Sequence, residues 1–309
     1  MNNPSMKYER TLEKMKTELD RRRKYYLILD CETATLPFVK EFPDCMREKI
    51  AIAKPLIYDI GWTVVDKKGR IYKKKNFLIS EIFSVPSVFN TAYYREKRPL
   101  YIEMLNGGAI DLVTWREATR ELVHDMELVE GVGAYNAMFD FKKAIPFTEL
   151  YINKLYGADY QSWENLQREI CTNIVSGVKY DSTKKFEKEI FRFRKKEYRL
   201  FDVWGLSCNF LLNNDAYRNA CLMNGWRTGS GKHFKTSAET AFRFCSKNHN
   251  FDEAHTALND AEIESELFAM AVKRNKNNIE WGIEFFPFRI LGTVEEFELR
   301  FSTRKRKDA

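Results

Sequence analysis

The apolar and polar positions of this chain first predict a buried strand near its start. Residues Tyr25 to Thr33 contain a run of five apolar or aromatic residues that ends on two acids separated by a single residue. Such a run is typical of a central strand with both faces buried. Two further runs, Leu56 to Asp66 and Ile71 to Ile79, flank the turn Lys67 to Arg70. They predict an antiparallel hairpin beside the first strand.

Capping signals and periodicity predict helices between the later strands. Thr114 and Glu117 have the spacing of a capping box, which predicts a helix through about Leu128. Residues 156–199 are dense in Lys and Arg and are interpreted as an insertion. The other predicted elements are helices at 5–24, 141–155, 205–222, 237–247 and 256–274 and strands at 131–135 and 200–204.

Composition is typical of a globular protein. The chain has 309 residues, 44% of them hydrophobic, which is enough for a sizeable core. No stretch approaches the ~20 apolar residues of a membrane span, and the charged N-terminus does not resemble a secretory signal, so a cytoplasmic location is expected. Six scattered cysteines without a Cys-x-x-Cys pair indicate reduced thiols. The net charge of +7 favours a polyanionic partner.

The two acids that end the first strand, Asp30 and Glu32, are the first candidates for chemistry. Residues two apart on a strand point to the same side of the sheet. Like charges this close are unfavourable unless a cation lies between them, and a divalent ion with oxygen ligands is the usual solution. A pair of solvated acids is the alternative, because Asp-x-Glu is a common tripeptide.

Two more acids lie near the starts of predicted helices. Asp140 follows the strand at 131–135, at the kind of junction where open α/β sheets place their sites. His255 and Asp260 are separated by four residues, and five positions on a helix amount to ~140° of rotation. Both side chains therefore cannot share one helix face, which predicts that His255 lies on the entering loop and Asp260 in the helix.

Three short motifs, each ending in an acid, occur in this order: Asp30-x-Glu32, Asn136-x-x-Phe139-Asp140 and His255-x4-Asp260. Together they resemble the three motifs of the DEDDh (DnaQ-like) 3′-5′ exonuclease family. The resemblance covers roughly residues 25–152 and 198–273. It implies an α/β fold of the RNase H-like superfamily, with a five-stranded mixed sheet flanked by helices. It also implies two divalent metal ions, Mg2+ or Mn2+, held by the acids.

The resemblance also implies a role for each of these residues. Asp30, Glu32 and Asp260 would bind the first ion, Asp30 would also bind the second, and Asp140 would hold the second largely through water. His255 would be the general base for the attacking water, because its ordinary pKa of about 6.5 lies near working pH. A structural role for His255 is the alternative.

Four residues are expected beside the terminal nucleotide of a substrate: Thr33, Leu36, Asn136 and Phe139. Asn136 and Phe139 are expected mainly to order the site, although Phe139 would be able to approach the nucleotide. Many relatives have Thr-Gly after the first motif, whereas this chain has Thr33-Ala-Thr-Leu36-Pro. Leu36 or Phe38 is therefore a candidate wedge against the terminal base.

The insertion has two interpretations. Its segment Lys184 to Lys196 interleaves seven basic residues with three Phe. One interpretation is a surface for single-stranded nucleic acid, in which rings stack on bases and cations follow the phosphates. The other is an amphipathic helix whose rings are buried and whose charges are solvated.

Two other groups of residues fit their chemistry poorly. Gly225 to His233 resembles a phosphate loop, but it has one residue too many before Gly-Lys and a His where Ser or Thr binds Mg2+. The set Cys221, His233, Cys245 and His249 has irregular spacing for zinc.

The sequence thus predicts a metal-dependent 3′-5′ exonuclease that acts on 3′ ends of single-stranded nucleic acid, with DNA favoured over RNA. A 3′-5′ exoribonuclease or oligoribonuclease and a catalytically silent nucleic-acid-binding module are the alternatives. A polymerase or replication protein is a candidate partner, and no membrane is expected. The predicted division is a charged helix at 1–24, an exonuclease domain at 25–275 with the helical and basic insertion 156–199, and a C-terminal extension at 276–309.

Overall fold

A computed structural model describes residues 24–36, 54–155 and 190–305. Within these residues, seven strands form one sheet in the order β4-β3-β2-β1-β5-β7-β6. Strands β1, β2 and β3 pair antiparallel, whereas β5 and β7 run parallel to β1, so the sheet is mixed. The strands are β1 (Tyr25–Ala34), β2 (Leu56–Asp66), β3 (Ile71–Ile79), β4 (Asp111–Val113), β5 (Gly131–Ala134), β6 (Ile190–Phe193) and β7 (Lys196–Asp202).

Helices cover both faces of this sheet. The α-helices are α1 (Ser80–Phe83), α2 (Pro86–Phe89), α3 (Arg98–Asn106), α4 (Trp115–Met126), α5 (Ala137–Phe139), α6 (Ile145–Leu155), α7 (Val203–Ser207), α8 (Asp215–Asn224), α9 (Ala238–Ser246), α10 (Ala257–Arg274) and α11 (Val294–Lys305). A π-helical turn, Asp140–Ala144, joins α5 to α6, and another, Cys208–Leu212, follows α7. Short 3-10 helices occupy Arg95–Lys97 and Pro287–Leu291.

Strand β1 lies at the centre because both of its faces are apolar. Tyr26 and Ile28 pack in the core on one face, whereas Leu27 and Leu29 pack in the core on the other. The alternation follows the period of two that a strand imposes. Helix α10 contributes Phe268 to the first of these cores, where its ring centroid lies 5.4 Å from that of Tyr26. The even-numbered positions of β1 therefore face α10.

Most of the predicted elements are present. The first strand, the hairpin β2–β3 and the mixed sheet flanked by helices are confirmed, and Thr114 forms the full capping box with Glu117 at the start of α4. The five predicted strands correspond to β1, β2, β3, β5 and β7, and two short edge strands, β4 and β6, extend the sheet. The predicted N-terminal helix lies outside the described residues except for Lys24.

One boundary of the predicted insertion is wrong, because residues 190–199 belong to the sheet. Strands β6 and β7 form an antiparallel hairpin, and β7 pairs with β5. Phe191 and Phe193 are buried at 2% and 7% exposure, so these two rings pack in the core and are not available to bases. The part of the insertion before residue 190 lies outside the described residues.

The described part of the C-terminal extension packs against the sheet domain. Val294 and Phe297 of α11 are buried in the same core as Tyr26. The backbone amide of Gly282 donates to the carbonyl of Leu200 at 2.7 Å, next to β7. The segment therefore completes one face of the domain.

Candidate metal centre

Asp30 and Glu32 lie in the second half of β1, directly after its buried apolar run. Both continue the even-numbered series of Tyr26 and Ile28, so they lie on the face that α10 covers. In the register with β2, Asp30 lies opposite Gly61 and Glu32 lies opposite Asp59. A shift in register follows directly after Glu32. The predicted convergence of the two acids on one side of the sheet is therefore present.

Two further elements bring their acids to the same place. Asp140 begins the π-helical turn after β5, and Asp260 lies in the first turn of α10. These acids line one cleft of about 240 Å³ together with Asp30 and Glu32. The full lining is Asp30, Cys31, Glu32, Tyr135, Asn136, Phe139, Asp140, Ala238, Glu253, Asp260 and Glu264. The structure thus gathers the four predicted carboxylates, with Asn136 and Phe139 beside them.

Helix α10 reaches the acids because Gly61 lets it approach β2. A Cβ atom at Gly61 would lie 2.3 Å from the backbone nitrogen of Leu258 and 2.6 Å from the carbonyl carbon of Ala257. No side chain fits in that space while the helix backbone stays where it is. Because Gly61 pairs with Asp30, this close contact between strand and helix lies beside the acidic cleft.

His255 lies on the loop before α10, as its spacing from Asp260 predicts. Its Nδ1 is 3.9 Å from Oδ2 of Asp260 and 3.6 Å from Oε2 of Glu253. Ligand atoms of Glu32, His255 and Asp260 all lie within 4.8 Å of one another. The imidazole therefore stands at the edge of the carboxylate cluster, with its side chain 29% exposed.

Burial and mutual repulsion make these acids hard to ionise. Burial, with smaller contributions from Glu253 and Asp59, raises the pKa of Asp30 to about 8. Burial and the nearby Asp30 raise the pKa of Asp260 to about 9. The pKa values of Glu32 and Asp140 are also raised, first by burial and then by Asp30. A divalent cation would favour the ionised forms of all four groups.

The donor atoms of the cleft fit such a cation. Oδ1 of Asp140 and Oδ1 of Asp260 are buried and accept no hydrogen bond from any described residue. Buried polar atoms normally have a partner, so two orphaned carboxylate oxygens among the acids of one cleft need an explanation. Carboxylate oxygens are the ligands that Mg2+ and Mn2+ prefer. The residues present therefore suit a hard divalent ion.

Sequence reasoning missed three acids that belong to this region. Glu264 is buried, its pKa is raised by burial, and it accepts a hydrogen bond from the amide of Tyr135 at 3.1 Å. The sequence does contain an indication of Glu264, because this residue lies four positions after Asp260 and therefore on the same helix face. Burial raises the pKa of Glu253 and of Asp59 to about 7. Neither had a motif, although Asp59 lies across from Glu32 in β2.

Leu36 is not placed as a wedge. It is fully buried in the core, so it does not reach the cleft, and this prediction is wrong. Thr33 is partly buried just beyond the register shift, and it is not among the residues that line the cleft. A contact between Thr33 and a substrate remains a prediction. Phe38 lies outside the described residues.

The described residues show how the two groups with poorly fitting chemistry are arranged. Residues 225–234 form a tight loop closed by the bridge between Arg227 and Phe234, and Nδ1 of His233 lies 3.4 Å from the carbonyl of Gly292. In the part of the chain that the structure describes, the cysteines and histidines considered for zinc do not gather within ligand distance.

No protein-family model matches this chain, and no curated protein matches its sequence. Among solved structures, the chain is similar to S. pombe Pop2p in its Mg2+ and Mn2+ bound form, with 13% sequence identity and a TM-score of 0.40. The match covers 87% of this chain and 90% of the Pop2p chain. A likeness this distant assigns neither an activity nor a ligand. No helix in the described residues has the length and apolar character needed to cross a membrane.

Proposed function

We propose that this protein is a metal-dependent 3′-5′ exonuclease of the DEDDh type that hydrolyses phosphodiester bonds at 3′ ends of single-stranded nucleic acid, with DNA as the favoured substrate. The observation that carries the proposal is the cleft itself. Four carboxylates from β1, the π-helical turn and α10 converge there, with His255 at the edge. Two of their oxygens are buried and have no hydrogen-bond partner among the described residues. Nucleic-acid binding alone needs positive charge and stacking surfaces, not a cluster of acids.

In this proposal Asp30, Glu32, Asp140 and Asp260 hold two ions, Mg2+ or Mn2+. When bound, these ions would stabilise the attacking and leaving oxygens of an in-line displacement at phosphorus. The protein holds their ligands on rigid elements, since Asp30 and Glu32 lie on the central strand and Asp260 in the first turn of a long helix.

His255 acts in this proposal as the general base. Burial, with a smaller contribution from the cation of Lys97, lowers the pKa of its imidazole below the ordinary value. A neutral ring with a free nitrogen is the form that accepts a proton from water. Asn136 and Phe139 line the same cleft and would order the substrate's terminal nucleotide.

The direct test uses DNA and RNA strands labelled at the 5′ or the 3′ end. With Mg2+ or Mn2+, 5′-labelled DNA should shorten by single nucleotides, and EDTA should stop the reaction. Asp260→Ala should abolish hydrolysis while the protein stays folded, whereas Asp111→Ala, which removes an exposed acid at the sheet edge, should not. Faster shortening of RNA would identify an exoribonuclease. Normal turnover of Asp260→Ala at saturating Mg2+ would refute the proposal.

A further inference from the structure

The loop that carries His255 is held by a segment from another part of the chain. The imidazole of His255 stacks on the phenol ring of Tyr94, with ring centroids 4.4 Å apart and the planes at 16°. Nζ of Lys97 lies 4.7 Å from the centroid of the same Tyr94 ring. Lys97 also donates a hydrogen bond to the backbone carbonyl of Ala254. The segment between α2 and α3 therefore contacts both the ring and the backbone of this loop.

Among the described residues, no hydrogen bond to a ring nitrogen of His255 fixes the imidazole. The backbone of His255 has a φ of +49°, in the left-handed region that residues other than glycine rarely adopt. Its Nδ1 lies 3.9 Å from Asp260 and 3.6 Å from Glu253, which are ion-pair distances but too long for hydrogen bonds. Neither carboxylate sets the plane of the ring. The ring of Tyr94 lies nearly parallel to that plane, at 16°.

We propose that Tyr94 is a positioning residue that fixes the plane of the His255 imidazole beside the acidic cleft, while Lys97 holds the backbone of the same loop through Ala254. This inference rests on the proposed function, because it assigns Tyr94 to the base of that reaction. The ring of Tyr94 is also contacted at 4.8 Å by the perpendicular ring of Tyr93. A ring with these three neighbours is better suited to positioning His255 than to stacking on a nucleobase.

Kinetics of Tyr94 variants test the positioning role. Tyr94→Ala should lower kcat by about 100-fold, the cost of displacing a reacting group by roughly 1 Å, and should leave KM nearly unchanged. Tyr94→Phe keeps the ring and should retain activity within a few-fold. Tyr72→Ala is the matched control, because Tyr72 packs on Tyr25 at the opposite end of the sheet. This control should lower the melting temperature without lowering kcat.

A double-mutant cycle separates positioning from substrate contact. If Tyr94 acts through His255, Tyr94→Ala should cause no further loss in a His255→Ala background. The same 100-fold loss in that background would show that the ring acts on something else and would overturn the inference. A raised KM with an intact kcat in Tyr94→Ala would overturn it too, because that pattern belongs to a substrate contact.

A readout that needs no activity is the proton spectrum of His255. The chain has four histidines, so comparison with His255→Ala assigns the ring resonances of this one. The stacked phenol should shift them by its ring current, and the shift should be lost in Tyr94→Ala and kept in Tyr94→Phe. Unchanged resonances in folded Tyr94→Ala would refute the stack. An inactive wild-type protein would refute the proposed function alone, whereas an active wild type with a fully active Tyr94→Ala would refute only this inference.

Discussion

Oδ2 of Asp59 accepts a hydrogen bond of 3.0 Å from the backbone amide of Ala257, the first residue of α10. The same oxygen accepts one of 2.9 Å from the hydroxyl of Tyr101. Asp59 is completely buried in β2. The contact ties the start of the helix that carries Asp260 to the strand that pairs with Asp30 and Glu32. The geometry of the cleft therefore depends on Asp59, although Asp59 is not among the residues that line the cleft.

Replacing Asp59 should damage both stability and hydrolysis. Asp59→Ala leaves two buried donors without an acceptor, which costs about 1–3 kcal/mol for each. Urea denaturation should show a lower free energy of unfolding, and single-turnover hydrolysis should slow because the first turn of α10 is released. Asp111→Ala, at the exposed sheet edge, should change neither. An unfolding free energy equal to that of the wild type would contradict the role given to Asp59.

Gly61 should not tolerate even a methyl group. In Gly61→Ala the new Cβ would lie 2.3 Å from Leu258, so α10 must move away from β2. We expect a lower melting temperature and a large loss of hydrolysis, since Asp260 moves with the helix. Gly229→Ala is the matched control, because no atom lies within 4 Å of the Cβ built at that position. If Gly61→Ala keeps the stability and rate of the control, the close approach does not matter to the site.

The sequence predicted those parts of the molecule that have a periodic pattern or a motif. β1 and the hairpin could be predicted because apolar runs and turn residues mark them. The four carboxylates could be predicted because two follow the apolar run within β1 and the other two lie near helix starts. The buried role of Asp59 could not be predicted, because a single acid in an apolar strand resembles a residue exposed to solvent. Its partners, Tyr101 and Ala257, are 42 and 198 residues away. Contacts at such separation have no local signal.

The sequence of β6 has the alternating pattern of a strand, but its many basic residues favoured a different interpretation. Phe191 and Phe193 alternate with Arg192 and Arg194, which is the period of a strand with one buried face. The density of Lys and Arg favoured a basic insertion instead. Several of these cations have partners within the chain, since Arg192 pairs with Glu197 at 2.7 Å and Lys196 pairs with Glu127. The second pair joins residues 69 apart in the chain, and a contact at that separation is invisible in the sequence.

The burial of Phe191 leads to a prediction about stability. Phe191→Ala should lower the free energy of unfolding by about 3–5 kcal/mol, the usual cost of removing a buried aromatic ring. Its ring packs edge-on against Phe141 at 4.9 Å. Ile190→Ala, on the same strand but 41% exposed, should cost much less. A stable Phe191→Ala that binds single-stranded DNA more weakly would instead support the stacking role first considered for this ring.

The acidic cluster should make the metal-free protein less stable as pH rises. The pKa values of Asp30 and Asp260 rise from 3.8 to about 8 and about 9, so the folded state binds more protons than the unfolded state between these values. The stability from these groups is complete below about pH 4 and is lost as pH rises through about pH 8–9. Melting temperatures measured in EDTA across this range should fall with pH.

Two further measurements test whether the acids of the cleft cause this loss of stability at high pH. Saturating Mg2+ should raise the melting temperature more at high pH, because an ion that binds only the folded state stabilises it. Asp260→Ala should melt at a higher temperature than the wild type at pH 8 in EDTA, since it removes a buried acid that the folded state keeps protonated while the unfolded state ionises it. A flat pH profile in EDTA would mean that burial and repulsion do not raise the pKa values of these acids.

Removing the imidazole of His255 should separate proton transfer from metal binding. His255→Ala should lower the single-turnover rate by about 10²- to 10⁴-fold, the range typical of a positioned general base. Calorimetric titration with Mg2+ should change little, because the carboxylates of Asp30, Glu32, Asp140 and Asp260 remain.

His249→Ala is the matched control, because His249 contacts the ring of Trp226 outside the cleft. Loss of Mg2+ binding in His255→Ala would make this residue a ligand, which its position within 4.8 Å of the ligand atoms of Glu32 and Asp260 also permits. A rate equal to that of the control, with Mg2+ binding intact, would leave His255 without a role in the reaction.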